Sequence, residues 1–298
     1  MPELPEVETI RRDLQRHAVG RRIEDFIIRW PRTFVGTAAA AAKLRGKEIE
    51  RIDRRGKYLL LRLSGGTTLS LHLRMSGRLR AAPAATAVLD HERARVLLDD
   101  GAAIVFTDPR KFGRIAPLSS AAASRLDASL GIEPLDPGFS ATALRRSLAG
   151  TRRAVKSVLL DQARIAGIGN IYADEALHAA GIHPAAPAGA LSEEEIARLA
   201  AAIPTVLSAA IRHRGTTFQM YRDGQGKKGR YAYRLMVYGR GGLPCRRCGT
   251  ELSSTRLGQR TTVWCSSCQP RSAARRSQAP SRPAAKAPRS RRPGHSKS

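Results

Sequence analysis

The stretch KYLLLRLSGGTTLSLHLRM, residues 57–75, decides the architecture of the first half of the chain. Residues 58–63 and 67–73 are apolar or alternate between apolar and polar, and Ser-Gly-Gly at 64–66 supplies a tight turn. Such a pair of runs predicts an antiparallel β hairpin. Three further runs extend the predicted β unit, which ends near Phe112: residues 22–30, 93–100 and 102–108.

A helix precedes this β unit and several helices follow it. Val7, Ile10 and Leu14 lie at helical spacing and predict a helix from Pro5 to about Val19. After the Pro- and Gly-containing linker GIEPLDPGF, four more helices are predicted, at about 141–149, 153–162, 170–180 and 192–213.

These elements predict an α+β multidomain protein. We expect a β domain with a leading helix over residues 1–131, a helical domain over 132–235, and a small cysteine module over 236–270. Residues 271–298 are rich in Ser, Ala, Pro and basic side chains, a composition typical of a disordered basic tail.

The charge balance indicates a polyanionic partner. The 52 Lys and Arg against 25 Asp and Glu give a net charge of +27, and two thirds of this surplus remains when residues 269–298 are left out. Nucleic acid is the partner that such a surplus favours. We expect no membrane association and a cytoplasmic location, because the sequence has no long apolar run and carries acids where a signal peptide would be basic.

The four cysteines have the spacing of a metal site. CRRC and CSSC enclose sixteen residues, so Cys245, Cys248, Cys265 and Cys268 can present two thiolates from each of two turns. We predict one structural Zn²⁺ that holds a β hairpin and keeps Arg256 and Arg260 on a basic face. The alternative is a redox-active or unligated set of thiols.

The first residues, MPELPEVE, have two interpretations. The plain one is a capped helix start. The other is that loss of Met1 exposes the secondary amine of Pro2 beside Glu3, as a nucleophile. A terminal amine has a lower pKa than a lysine, so more of it is in the neutral form that covalent catalysis needs. We expect Glu6 to fix the terminus by hydrogen bonds.

The segment GIGNIYADEAL, from Gly167, places glycines and Asn170 at a predicted helix start. A plain turn is the simpler interpretation, but amides at a helix N-terminus also bind phosphate. Four flanking cations favour a clamp on the DNA backbone: Arg152, Arg153, Lys156 and Arg164.

Two other features have both a plain structural interpretation and a functional one. Met75 and Phe112 are core residues by default. In a DNA-binding protein they could instead fill, together with Arg110, the gap that a flipped base leaves. Lys57 is typical of a solvated strand-end charge unless it faces Pro2.

Taken together, six motifs resemble the formamidopyrimidine-DNA glycosylase family. They are PELPEVET, GKYLL, HLRMSG, TDPRKFG, GIGNIYADEAL and the four-cysteine module with QRTTVWC, and they span residues 2 to about 268. The resemblance implies an N-terminal β sandwich, a helix-two-turn-helix domain and a C-terminal zinc finger. It further implies a monomer that acts on double-stranded DNA with oxidised bases or abasic sites. Such an enzyme excises oxidised purines in base-excision repair and cuts the strand by β,δ-elimination.

The resemblance also implies residue roles. Pro2 matches the Schiff-base nucleophile and Glu3 the acid that assists base loss and sugar-ring opening. Lys57 matches the proton donor of β-elimination, and Arg260 is linked to δ-elimination and phosphate binding. The implied DNA contacts are His91, Arg110, Arg152, Asn170, Met75 and Phe112. Met75, Arg110 and Phe112 match the gap-filling trio, and Arg152 stands next to the family's basic position at Thr151.

Three positions depart from the family pattern. Arg74 and Arg214 stand where glycines are usual, and Ala232 replaces an expected aromatic residue. Two alternatives remain at this point: an endonuclease VIII-type glycosylase for oxidised pyrimidines, against which PELPEVET argues, and a zinc-ribbon protein that binds nucleic acid without catalysis.

Overall fold

The computed structural model describes residues 1–271. Its N-terminal domain begins with helix α1, Leu4–Ala18, and contains the short helix α2, Ala38–Ala42. The eight strands of this domain are β1 Ile23–Ile28, β2 Ile49–Arg55, β3 Tyr58–Leu63, β4 Thr67–His72, β5 Arg78–Pro83, β6 Glu92–Leu98, β7 Ala102–Thr107 and β8 Arg114–Leu118. They form two antiparallel sheets, in the orders β1-β6-β7-β5 and β2-β3-β4-β8.

The two sheets and α1 share one apolar core. Val7, Ile10 and Leu14 of α1 pack with inward-facing residues of both sheets, such as Leu61 and Ile104. Burial of such side chains is the main stabilising term of a sandwich. The predicted sandwich with a leading helix is therefore confirmed.

The hairpin of residues 57–75 has the predicted form. Strands β3 and β4 pair from Tyr58 opposite His72 to Leu63 opposite Thr67. Gly65 and Gly66 both have φ +73°, which glycine adopts without strain. This register places Lys57, the residue before β3, at the same end of the hairpin as Met75.

The helical domain packs around a central helix. Helix α3, Ser120–Ala128, packs on β4 and β8 of the sandwich. The helices of the helical domain are α4 Ala141–Leu148, α5 Val155–Leu159, α6 Asn170–Ala180 and α7 Glu193–Arg212. Helix α6 is almost entirely buried between its neighbours. Leu4 of α1 belongs to this helical core, and its amide donates to the carbonyl of Gly167 at 3.0 Å. The chain's N-terminus thus lies at the junction of the two domains.

The cysteine module is a hairpin held against α6. Strands β9, Leu252–Leu257, and β10, Arg260–Cys265, pair antiparallel. Glu175 of α6 accepts hydrogen bonds from the amides of Met236, Val237 and Tyr238, each at 2.9 Å, and so fixes the segment that leads into the module.

The predicted helices lie within a few residues of the observed ones, apart from the segment 153–162, of which only α5 is helical. Strands β2, β5 and β8 and helices α2 and α3 were not predicted. Within residues 1–271, none of the helices combines the length and apolar character needed to cross a membrane. The predicted tail lies, apart from Arg271, outside the described residues.

Candidate active site

The side chain of Glu3 lies at the start of helix α6 and is buried. Its Oε2 accepts hydrogen bonds from the amides of Gly169 at 2.9 Å and Tyr172 at 3.4 Å, and its Oε1 accepts one from Ile171 at 3.0 Å. Unpaired amides at a helix N-terminus favour an anion there. A Cβ on Gly169 would stand 2.3 Å from the carboxyl carbon of Glu3, so this close approach requires glycine.

This arrangement corrects one prediction from the sequence. The amides at the start of α6 do not face a DNA phosphate, because the carboxylate of Glu3 occupies them. The motif GIGN therefore binds the protein's own N-terminus, and the two most distinctive motifs of the sequence form one structure.

Glu6 fixes the same terminus from the other side, as predicted. Its carboxylate accepts hydrogen bonds from the amide of Glu3 at 2.9 Å, the hydroxyl of Tyr172 at 2.6 Å and the amide of Thr216 at 2.7 Å. Burial, together with the charge of Glu3, raises the pKa of Glu6 to about 7. Glu6 thereby connects the terminus to the loop that follows α7.

A cavity of about 420 Å³ opens beside Glu3 and is rich in basic groups. Lys57 lines it and is only 7% exposed, so this lysine is not a solvated strand-end charge. Burial lowers the pKa of Lys57, and nearby Arg260 adds to this effect, whereas the charges of Glu3 and Glu6 oppose it. The cavity is also lined by His72, Arg74, Asn170, Tyr238 and Arg260.

A second cavity, of about 260 Å³, adjoins the first at Met1. Pro2, Met75 and Arg110 line it, together with residues 216 and 218–221 of the loop after α7. Met1 lines both cavities. Met1 therefore lies where the two cavities meet, and it is bonded to Pro2, which lines the smaller cavity.

The cysteine hairpin brings Arg260 to the first cavity. Arg260 begins β10, and the side-chain amide of Asn170 donates to the carbonyl of the next residue, Thr261, at 3.0 Å. The buried ammonium of Lys156 donates to the same carbonyl at 2.9 Å and pairs with Asp174 at 2.7 Å. The hairpin is thus held on α6 by buried polar contacts.

The four cysteines fit a tetrahedral zinc ion. Their sulfur atoms all lie within 4.8 Å of one another, and the Sγ atoms of Cys248 and Cys265 are 3.4 Å apart. Four thiolates around one zinc stand about 3.8 Å from each other, given the usual Zn–S length. Their donor set and closed geometry fit one structural Zn²⁺, held by Cys245, Cys248, Cys265 and Cys268.

The predicted gap-filling residues are exposed together on one face. Met75 and Phe112 are 41% and 46% exposed, so neither is a core residue. The guanidinium of Arg110 lies 4.9 Å from the ring centre of Phe112. His91 is also exposed, and its carbonyl accepts a hydrogen bond at 2.9 Å from the amide of Asp108, two residues before Arg110.

Three of the four cations predicted to clamp DNA have partners within the protein, but only Lys156 is buried. Lys156 is buried against Asp174, Arg153 pairs with Asp161 at 2.8 Å, and Arg164 donates to the carbonyls of Ser147 and Ala149. For the buried Lys156 the predicted clamp is wrong, and for Arg153 and Arg164 it stays a prediction. Arg152 is exposed between α4 and α5, and no hydrogen bond or ion pair within residues 1–271 joins it to the cavities.

Three family descriptions match successive parts of the chain. The formamidopyrimidine-DNA glycosylase N-terminal domain matches residues 1–115, the H2TH domain of the same glycosylase matches 130–222, and a zinc finger found in FPG and IleRS matches 242–271. A formamidopyrimidine-DNA glycosylase of Desulfitobacterium hafniense is 47% identical over 275 residues, which is 90% of this chain and 100% of the relative. That of Stutzerimonas stutzeri is 44% identical over 274 residues, with the same coverage.

The chain belongs to the formamidopyrimidine-DNA glycosylase family. It is a bifunctional DNA glycosylase and AP lyase that removes oxidised purines in base-excision repair. Solved structures agree. The MutM (FPG) protein of Thermus thermophilus aligns with a TM-score of 0.81 at 40% identity, covering 90% of this chain and 98% of that one. A Lactococcus lactis FPG variant in complex with Fapy-dG-containing DNA aligns at 0.84 and 34%, covering 90% and 100%.

The departures from the family pattern have different structural settings. Arg74 and Arg214 have φ +53° and +60°, left-handed values that explain why glycine is usual there. Arg74 lines the basic cavity, whereas Arg214 pairs with two carboxylates. Ala232 lies in a short 3₁₀ turn, and nothing in the structure explains its presence.

Two residues of the site, the partly buried His72 and the buried Tyr172, were not singled out from the sequence. His72 lines the basic cavity, where burial and then Arg74 and Lys57 lower its pKa to about 4, so that it is neutral at pH 7. Tyr172 joins Glu6 to Thr216 through its hydroxyl. Both lie inside the quoted motifs HLRMSG and GIGNIYADEAL, but their contacts come from other elements.

Proposed function

We propose that Pro2, freed of Met1, is the nucleophile of this glycosylase and that the two cavities separate the leaving base from the sugar and its phosphates. The supporting observation is the position of Met1, which is bonded to Pro2, at the meeting point of the cavities, with Glu3 and Lys57 beside it. The basic cavity suits the sugar-phosphate backbone. The smaller cavity, next to Pro2, suits the base.

The first steps use Pro2 and Glu3. The nitrogen lone pair attacks the sugar C1′, and the bond from C1′ to the base breaks with its electron pair leaving on the base. The proton that the Pro2 nitrogen then loses neutralises the departing base. The nitrogen then forms a cationic iminium as the bond between C1′ and the ring oxygen opens, and Glu3 supplies the proton that this oxygen takes. Three amides and the helix start fix the carboxyl group of Glu3 for this transfer.

Strand cleavage uses the basic cavity. The iminium draws electrons from C2′, which loses its proton as the bond to the 3′ phosphate breaks. The lowered pKa of Lys57 makes a proton exchange with the substrate easier than for an ordinary lysine. Arg260, presented by the zinc-held hairpin, binds the phosphate and assists the δ-elimination.

DNA contacts are proposed on the exposed face around the cavities. Met75, Arg110 and Phe112 fill the space left by the flipped nucleotide, and His91, Asn170 and the more distant Arg152 bind the strand. We keep the domain division at 1–131, 132–235 and 236–270, and propose a cytoplasmic, nucleoid-associated monomer. DNA is also the partner of the similar Lactococcus lactis protein, which was solved with abasic-site-containing DNA.

Borohydride trapping on abasic-site DNA tests this proposal. The protein with a free Pro2 should form a covalent complex, and both Pro2→Gly and a form that retains Met1 should not. Trapping that survives both changes would move the nucleophile to another amine, Lys57 first.

Substrate choice needs a separate comparison, because one Lactococcus lactis Fpg structure contains DNA with an oxidised pyrimidine. Excision from duplexes with 8-oxoguanine opposite cytosine should exceed excision of thymine glycol. The reverse preference would favour the endonuclease VIII-type alternative.

A further inference from the structure

Arg214 occupies an unusual backbone position directly after helix α7. Its φ of +60° lies in the left-handed region, which residues with a Cβ rarely adopt. The next residue, Gly215, also has a positive φ, and a Cβ there would stand 2.8 Å from Oε1 of Glu6. Gly215 is therefore required by sterics, whereas Arg214 is strained and needs compensating contacts.

The compensating contacts are two ion pairs with carboxylates that are almost fully buried. Nη2 of Arg214 lies 2.5 Å from Oδ2 of Asp13, and Nε lies 2.6 Å from Oδ2 of Asp223. Asp13 belongs to α1, the helix that carries Pro2 and Glu3, and Asp223 belongs to the loop after α7. One guanidinium thus joins α1, the end of α7 and this loop.

Asp223 and Asp13 also organise the loop itself. Oδ1 of Asp223 accepts from the amides of Gln225 at 2.9 Å and Lys227 at 2.8 Å. Oδ2 of Asp13 accepts from the amide of Gly224 at 3.0 Å, and a Cβ on Gly224 would stand 2.5 Å from that of Asp13. The turn at residues 223–227 is therefore seated directly on α1.

The same loop forms one wall of the smaller cavity beside Pro2. Thr216 and residues 218–221 line this cavity, and they lie between two fixed points: Glu6, which binds the amide of Thr216, and the Asp13–Arg214–Asp223 cluster. None of these loop residues except Phe218 lines the larger, basic cavity. A substitution in the cluster should therefore displace the wall of the smaller cavity, which we assign to the base, more than that of the basic cavity, which we assign to the sugar-phosphate backbone.

We propose that Arg214 is a positioning residue for base excision, which holds the wall of the base cavity in register with Pro2 and has little part in cleavage at abasic sites. This inference rests on the proposed function, because it assigns the smaller cavity to the base. An abasic site has no base to place, so its cleavage does not depend on that wall.

The test compares two reactions of the same variants. Arg214→Gly relieves the backbone strain and removes both ion pairs, and the single-turnover rate of 8-oxoguanine excision should fall about tenfold or more through loss of positioning. Cleavage and borohydride trapping of preformed abasic-site DNA should stay within about twofold of wild type by the same reasoning. Arg212→Ala removes an equal charge from an exposed position two residues earlier and should change neither reaction.

Arg214→Lys covers the case in which two unpaired buried carboxylates prevent folding of the glycine variant. Lysine keeps the charge but cannot bridge both carboxylates as a guanidinium does, so excision should fall by an intermediate factor. Equal losses in excision and abasic cleavage, in a variant whose melting curve shows it folded, would overturn the proposal, and so would unchanged excision. Failure of the wild-type protein to be trapped would contradict the proposed function itself.

Discussion

The buried terminus and the exposed loop around Phe112 use their polar groups in opposite ways. Around Glu3 and Glu6, the two carboxylates accept hydrogen bonds from five backbone amides and one hydroxyl, and both are buried. On the exposed face, Met75 and Phe112 present apolar surface to solvent, and the guanidinium of Arg110 lies over the ring of Phe112. The groups that we propose to react are therefore fixed within the protein, whereas the groups that we propose to contact DNA are exposed to a partner.

The largest expected effect comes from a substitution in the buried terminus. Glu3→Gln removes the proton that we propose assists base loss and ring opening, and the excision rate should fall about 10²- to 10⁴-fold. Abasic-site cleavage should fall less than about tenfold, because an abasic sugar opens to its aldehyde in water without a catalyst. Single-turnover assays on both substrates measure this difference, and a thermal melt checks the fold. Equal losses on the two substrates would contradict the assigned role.

Two alanine substitutions, one in each region, compare what the two regions contribute to the free energy of unfolding. Leu4→Ala empties a fully buried site in the helical core next to Glu3 and should lower the free energy of unfolding by about 2–5 kcal/mol. Phe112→Ala should lower it by less than about 0.5 kcal/mol because the ring is half exposed. Urea unfolding followed by circular dichroism gives both values. A large loss for Phe112→Ala would show that this ring belongs to the core.

The Glu6 network predicts a pH dependence of stability. The pKa of Glu6 is raised to about 7 in the folded protein from an ordinary 4.5, so the folded state binds this proton more tightly than the unfolded state. As the pH rises from about 4.5 to 7, wild type should lose up to about 3 kcal/mol relative to Glu6→Gln, which has no such proton. Denaturant titrations of both proteins across this range measure the difference. A constant difference would contradict the raised pKa.

The smallest expected effect concerns the zinc hairpin. Removal of zinc with a chelator should unfold the turns that carry the cysteines and release Arg260, while Asn170 and Glu3 stay on α6. Affinity for abasic-site DNA should fall about tenfold and return when Zn²⁺ is added back, because one charged contact is lost. Unchanged affinity of the metal-free protein would separate Arg260 from the proposed site.

The sequence predicted the elements well where local patterns are strong. The hairpin of residues 57–75, helix α7 and the cysteine spacing each carry their own signal in adjacent residues. Strands β5 and β8 were missed because their Arg-, Ala- and Pro-containing sequences have weak strand propensity and pair through tertiary context.

The pairing of groups across the chain was harder to predict. Glu3 and the start of α6 are 166 residues apart, and both were identified, but as separate motifs with separate ligands. No sequence pattern shows that the carboxylate of Glu3 binds the amides at the start of α6. Lys156 was misjudged for the same reason, since its partner Asp174 is a buried carboxylate on the next helix.

The identity of the amino group that is trapped tests the central claim most directly. After borohydride reduction of the complex with abasic-site DNA, trypsin digestion and mass spectrometry locate the adduct. We predict that it lies on the peptide of residues 2–11, at the Pro2 nitrogen, in protein that has lost Met1. An adduct on a peptide in which trypsin has failed to cleave after Lys57 would contradict this mechanism.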